Sequence, residues 1–312
     1  METPASKPYN LPADAVWFIT GCSSGIGLAL AQHIAKTPSQ RLVATARNPA
    51  SLSSIPDSPR VLKVALDVTS VDSLDAAFDA ALTRFKRVDI VVNNAGYNIM
   101  GDTEATPRGN ADARKLLDTN FWGAVDATKR ALTIFREENP KSGQQGGVIL
   151  NVSSMGGFLG SPGSAYYHAS KFAMEGFAES VAKELDPAWG IHVCNLQPGG
   201  VKTRYVDTSL DTVFRHPAYE SDPKGPLNGM LAFLKNTELH AGFATPEEVA
   251  AVIYRLVGSG KRLPMRIPLG ADAFTMMLAE VESVKEGLLE WKDMSCSLGD
   301  PNMEDVAKAM GK

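Results

Sequence analysis

Cysteine is scarce in this chain: Cys22, Cys194 and Cys296 are three among 312 residues, odd in number and far apart. That argues against a disulfide framework and against a clustered thiolate metal site. The five histidines are scattered singly, so none has a partner at metal-ligand spacing. Neither charge sign dominates, with 31 Lys and Arg against 35 Asp and Glu and a net charge of −4. Such a balance leaves no electrostatic footprint for nucleic acid or an anionic membrane surface. Apolar runs long enough to span a bilayer are missing, and Met1 to Ala13 is polar and Pro-containing, without an apolar signal core. Internal repeats and low-complexity linkers are missing too. Asn151-Val152-Ser153 has the form of a glycosylation sequon, but it ends an apolar run and is expected to be buried. The expectation is a reduced, cytoplasmic protein with no metal, no nucleic-acid partner and no membrane span.

What the chain does have is 44% hydrophobic residues, enough for a large core. From Ala15 onward, short apolar runs alternate with longer helical stretches. Ala15–Thr20, Arg41–Ala46, Val61–Ala65, Val88–Asn93, Gly147–Val152 and Ile191–Leu196 read as buried strands, with a further short one at Pro264–Pro268. Between them, helices are predicted over Ile26–Lys36, Val71–Arg87, Ala111–Phe135, Ala165–Glu184 and from Pro246 to Val257. The last of these opens with Thr245-Pro246-Glu247-Glu248, a capping box with Pro at the first helical position. Near-continuous hydrophobic strands alternating with helices specify an α/β fold, a doubly wound parallel sheet of about seven strands covered on both faces. A single domain over residues 15–295 is predicted, after a polar segment at 1–14 and before a polar tail at 296–312. Residues 203–244 break the rhythm with three prolines and a short apolar helix at Leu227–Leu234, the pattern of a substrate lid. Residues 271–295 read as a Met-containing amphipathic helix, in which Met276 and Met277 are expected to pack in the core.

The first strand runs into Thr20-Gly21-Cys22-Ser23-Ser24-Gly25-Ile26-Gly27 and then a helix. Glycines there let the backbone turn tightly and approach a pyrophosphate, which rests on the amide dipoles of the helix N-terminus. About 20 residues further on, a cofactor lacking a 2′-phosphate usually meets an acid. Here the second strand ends Ala44-Thr45-Ala46-Arg47, and the acid is missing. Arg47 can pair with a 2′-phosphate that a carboxylate would repel, which favours NADP(H) over NAD(H).

Tyr167 and Lys171 stand four residues apart on a predicted helix, and so share a face. A free phenol titrates near pH ~10, too high for proton transfer at neutral pH. A neighbouring ammonium favours the phenolate. The spacing by itself is weak, since about one chain in three of this composition would hold it by chance. Tyr166, the adjacent rival, has Ser170 rather than a cation four residues on.

Taken together, Thr20-Gly21-x-x-x-Gly25-x-Gly27, Asp67 after the third strand, Asn93-Asn94-Ala95-Gly96 after the fourth, Asn120, Ser154, Tyr167-x-x-x-Lys171 and Pro198-Gly199 with Thr203 resemble the short-chain dehydrogenase/reductase family, in the family's order, over about Val16 to Thr203. At the cofactor end the likeness is to the hydroxysteroid and retinol dehydrogenase branch. The resemblance implies a Rossmann fold and a catalytic set of Asn120, Ser154, Tyr167 and Lys171. Tyr167 would protonate the carbonyl oxygen, Lys171 would lower its pKa and bind the ribose, and Ser154 would hold the substrate oxygen. Asn120 would support a water chain to the lysine. For the cofactor, it implies Gly21, Ser23, Ser24, Gly25, Ile26 and Gly27 in the loop, Asp67 and Val68 at adenine, and Asn94, Ala95 and Gly96 beside the adenosine. Pro198, Gly199, Val201 and Thr203 would lie at the carboxamide end.

The reading that follows is an NADP(H)-dependent oxidoreductase interconverting a carbonyl and an alcohol on a steroid-like, polyketide or other lipophilic small molecule. The apolar content of the lid and C-terminal helix motivates the word lipophilic: Tyr205, Phe214, Tyr219, Leu227, Met230 and Phe274 among others. Imine or enone reduction is an alternative for the same tetrad, and a non-redox cofactor-binding protein is an alternative from another class. The resemblance also implies a homodimer or homotetramer, with Ala111–Phe135 and Ala165–Glu184 pairing across subunits.

Overall fold

In a computed structural model, which describes residues 8–203, 213–236, 238, 240–299 and 301–310, the apolar runs form one seven-stranded parallel sheet. Its strands are β1 (Val16–Ile19), β2 (Arg41–Ala46), β3 (Val61–Ala65), β4 (Ile90–Asn93), β6 (Gly147–Val152), β7 (Ile191–Pro198) and β9 (Arg266–Leu269), in the order β3-β2-β1-β4-β6-β7-β9. A separate pair, β5 (Met100–Gly101) with β8 (Val213–Phe214), also runs parallel. Strand alternation sorts the core into two layers. Trp17 and Ile19 face helix α1 (Gly25–Lys36) and helix α8 (Pro246–Val257), where Leu30, Ile34, Ala250 and Ile253 cover them. Val16 and Phe18 face the opposite layer, α2 (Val71–Phe85), α4 (Gly123–Thr133) and α5 (Ala165–Glu184), with Phe78, Ala131 and Ala178.

One row of that second layer is polar. Asn93, Asn151 and Asn195 are in register on neighbouring strands, and their side chains hydrogen-bond in series at 2.9 Å each. Asn93 also donates to Thr128 of α4 at 3.1 Å, and Asn195 donates to Glu175 of α5 at 2.8 Å. Arg266 of β9 closes the row on the same carboxylate at 2.9 Å. Buried polar groups cost stability unless partnered, so this row pins both the strand register and the helices above it.

Sequence and structure part in a few places. The stretch Ala111–Phe135 is continuous, as expected, but α3 (Ala111–Leu117) joins α4 through a π-type turn at Asp118–Trp122. The lid region contributes α6 (Pro217–Glu220) and α7 (Pro226–Lys235), while residues 204–212, with Tyr205, lie outside the described residues. Helix α9 spans Ala271–Glu290, with Met277 buried but Met276 exposed. A short helix, Met303–Ala309, stands where only a polar tail is predicted. In the polar N-terminal segment Tyr9 is buried edge-on against His192. Asn151 of the sequon is buried, as expected.

Phe18 and Phe78 stack with ring centroids 4.0 Å apart, joining the sheet to α2. Replacing Phe78 with Ala is expected to lower unfolding free energy by about 3–5 kcal/mol, read from the midpoint of a denaturant titration at unchanged slope. A loss under about 1 kcal/mol would show that this contact is not a core contact.

Candidate functional site

The predicted site residues follow the C-terminal ends of β1, β2, β3, β4, β6 and β7 or lie on helical elements, Asn120 in the π-type turn and Tyr167 and Lys171 on α5. Gly21 and Gly25 hold positive φ angles of 72° and 57°, a backbone that side-chain-bearing residues rarely adopt. A Cβ on Gly21 would come within 2.9 Å of the Ala95 Cα, and one on Gly27 would collide with the Asn94 carboxamide and the Gly21 carbonyl. The loop is therefore pressed against the end of β4. Thr20 and Asn94 hold it there: the Thr20 hydroxyl accepts from the Asn94 and Ala95 amides at 2.9 and 3.0 Å. The Asn94 side chain donates to the Thr20 and Gly21 carbonyls at 2.8 and 3.0 Å. Ser23 and Ser24 are exposed, Ile26 is half-buried, and no side chain caps the first turn of α1 behind Ser24. An uncapped helix start beneath a glycine cradle fits a phosphate-bearing cofactor.

Around this cradle stand the other cofactor candidates. Arg47 is exposed at the end of β2, with no hydrogen bond or ion pair among the described residues. Asp67 accepts from the amide and hydroxyl of Thr69 at 3.0 and 2.7 Å; these bonds, and more weakly the Arg47 charge, hold its carboxyl below the usual range. Val68 packs its side chain against Gly123 at the start of α4. Gly96 is exposed beside Asn120 and Lys171, and a Cβ there would lie 3.0 Å from the Asn120 Oδ1 and 3.7 Å from the Lys171 Nζ. Pro198 ends β7, and the Gly199 amide donates to the Leu269 carbonyl at 3.0 Å. Val201 bridges to Ala244, and the Thr203 side chain faces Gly25 across the loop.

Of the four catalytic candidates, Asn120, Tyr167 and Lys171 are brought together at α5, and Ser154 follows the end of β6. Helix α5 places the Lys171 Nζ 5.6 Å from the centre of the Tyr167 ring. That lysine is only 4% exposed, and its ammonium donates to the Val152 carbonyl at 2.8 Å. Burial pulls its pKa down to about 8, while the Glu175 charge opposes the fall. Asn120, fully buried in the π-type turn, pairs with the Tyr97 main chain at 3.0 and 2.9 Å and donates to Ser170 at 3.1 Å. Ser170 in turn donates to the Tyr167 carbonyl at 2.7 Å. Ser154 caps the turn Met155–Gly157, accepting from the Gly156 amide at 3.0 Å. The hydroxyl of Tyr166, the rival tyrosine, instead donates to Asn110.

Sequence reasoning missed three residues that hold the site. His168 accepts from the Ser161 amide through Nε2, which leaves the proton on Nδ1 to bond the Gly156 carbonyl at 2.8 Å. It thereby ties the residue after Tyr167 to the Ser154 turn. Asp272 of α9 accepts from the Gly200 amide at 2.6 Å and fills the space beside Gly199. Glu175, four residues after Lys171, gathers Asn195, Gln197 and Arg266. The available signal for Glu175 was an acid inside the apolar run Phe172–Ala178.

Comparison with known proteins agrees with this geometry. A family model described as short chain dehydrogenase matches residues 15–213. The chain is 43% identical over 282 residues to oxidoreductase calM of Penicillium decumbens, covering 89% of this chain and 90% of that one. It is 34% identical over 258 residues to retinol dehydrogenase 8 of Bos taurus, covering 80% of this chain and 79% of the other. A solved short-chain dehydrogenase from Streptomyces avermitilis superposes with a TM-score of 0.75 at 29% identity, covering 91% of this chain and all of that one.

The buried lysine makes a pH-dependent contribution whose sign is fixed. In the unfolded chain Lys171 keeps its proton up to about pH 10.5, in the cofactor-free fold only to about 8. Between those values the unfolded state binds more protons, so this group makes the fold gain stability as pH rises. Unfolding titrations of wild type and Lys171→Met across that window should diverge in favour of wild type with rising pH. A constant difference would refute the assignment.

Proposed function

The chain belongs to the short-chain dehydrogenase family of oxidoreductases, whose fold binds a nicotinamide cofactor, and on that premise we propose that it uses NADP(H) to interconvert a ketone or aldehyde and an alcohol on a lipophilic small molecule. The observation that carries the proposal is the buried Lys171 ammonium beside the Tyr167 ring, with Asn120 and Gly96 at the same spot. Bound nicotinamide supplies or accepts the hydride. Tyr167 delivers the proton to the carbonyl oxygen, or takes it from the alcohol in the reverse direction. Lys171 favours the phenolate through its charge, and its donors beyond the one on Val152 serve the cofactor ribose. Ser154 orients the substrate oxygen, and Asn120 holds the π-type turn open for a water that recharges the lysine. Gly21, Gly25 and Gly27 carry the pyrophosphate on the start of α1.

Arg47 supports NADP(H): it is an exposed guanidinium at the end of β2 with no competing ion pair among the described residues, where a ribose 2′-phosphate can take a bidentate contact. The substrate lid is residues 203–244. Its described part packs on the body through Leu227 against Gly163 and through β8 against β5, where Phe214 shares a small cavity with Ile99 and Tyr166. The apolar side chains of this part, among them Tyr219, Leu227 and Phe233, favour a lipophilic substrate, as does likeness to a relative named for retinol. The working form is a homodimer or homotetramer in the cytoplasm; among the described residues no helix is long and apolar enough to cross a membrane.

Purified protein should bind NADPH and consume it with members of a panel of lipophilic ketones and aldehydes, followed by nicotinamide absorbance. Tyr167→Phe is expected to lower kcat by about 10²- to 10⁴-fold with NADPH binding retained. Arg47→Asp should shift preference toward NADH by about 10- to 100-fold, the worth of one charge-assisted contact. Failure to bind NADPH, or an unchanged preference in the Arg47 variant, would overturn the cofactor assignment.

A further inference from the structure

Helix α9 is rooted in the domain by two buried residues, Ala273 and Met277, and by Asp272 on Gly200. Beyond that root it leaves the body, and every residue from 281 to 299 is exposed. An isolated helical segment of that length is marginal in water, because most helix stability comes from packing an apolar face. Yet the exposed part is strongly apolar: Val284 is 52% exposed, Leu288 69% and Trp291 56%. These residues are not randomly placed. Phe274, Met277, Val281, Val284, Leu288 and Trp291 recur at alternating spacings of three and four, the a/d repeat of a coiled-coil seam.

We infer that α9 pairs with α9 of a second copy of this chain, side by side and parallel, along the exposed part of that repeat from Val281 to Leu288. Two observations choose this occupant over others. The first is charge along the flanks. With Phe274 at position a, Glu280 falls at g and Lys285 at the following e, the pair that meets across a parallel two-stranded seam. The second is the sign of the remaining charge. Between residues 280 and 293 there are five acids against two lysines, the reverse of the basic face that a helix lying on an anionic membrane presents.

Full-length protein measured by sedimentation equilibrium tests the pairing. A Val284→Glu, Leu288→Glu double variant is expected to halve the assembly mass while NADPH oxidation by the individual domain persists, since both residues are exposed in the fold. Glu280→Lys or Lys285→Glu alone should weaken association by about two- to fivefold, and the double swap should restore it. In a Cys296→Ser background, Val284→Cys should form an interchain disulfide on mild oxidation, and Glu282→Cys, off the seam, should not. Unchanged mass in the double variant, or wild-type binding to phosphatidylserine vesicles that the same variant abolishes, would overturn the pairing. Equal cross-linking at positions 282 and 284 would overturn the parallel seam.

Discussion

The Lys171 ammonium, taken out of water and set on the Val152 carbonyl, is the constraint on which much of this structure depends. Burying a charge is costly unless it is partnered, and one carbonyl is a small return for an ion that retains 4% exposure. The Glu175 charge, four residues along α5, offsets part of the cost. A carboxylate in that place raises the same problem again, and the sheet resolves it. Asn195 and Gln197 from β7 and Arg266 from β9 converge on Glu175, while Arg266 also reaches Glu179. Asn195 passes the chain of bonds to Asn151, Asn93 and Thr128. Four strands and two helices are thus held in one register by groups whose need for partners begins at a single lysine.

The same economy of polar groups shapes the loop on the other side of the sheet. Thr20 and Asn94 spend their side chains on the Gly21 turn and the β4 end, so the loop is rigid before any ligand arrives. Pre-ordering of this kind reduces the entropy lost on binding. Asn94 is consequently a brace for the Gly21 turn. His168 plays a comparable part at the Tyr167 end. Its Nδ1–H on Gly156 and Nε2 toward Ser161 clamp both sides of the loop that carries Ser154. Burial lowers its pKa, and the neutral form it favours is the one that can both donate and accept in this clamp.

Most of the sheet was legible because the strands are short, apolar and separated by helical patterns. Arg41–Ala46, Val61–Ala65 and Gly147–Val152 match their predicted limits. The candidate site was read for a different reason: the Gly-rich loop, Asn120, Ser154 and the Tyr167–Lys171 spacing, each weak alone, occur together in one order along the chain. What escaped was set by tertiary contact. β5 and β8 are two residues each, far too short for periodicity to announce, and they exist because Asp102 is buried against Arg215 and the His216 amide. The π-type turn at Asp118–Trp122 looks like ordinary helix in sequence, and only the two bonds of Asn120 to the Tyr97 main chain reveal why it is wound wider. Met277 and Met276, adjacent and chemically identical, went to opposite environments because a helix surface turns 100° between them.

Helix α9 joins these two kinds of information. Its root belongs to the candidate site, since Asp272 accepts from the Gly200 amide directly after β7. Its outer half is exposed along its whole length. A sequence that had only to finish a Rossmann sheet could have stopped its apolar residues at Met277. It continues them at three- and four-residue intervals for two further heptads, and an exposed apolar stripe of that length carries a solubility cost in a monomer. The stripe is intelligible as a surface whose partner lies on another molecule. Because that surface grows from the same helix that holds Gly200, any partner bound along it rests on a rod anchored at the candidate site.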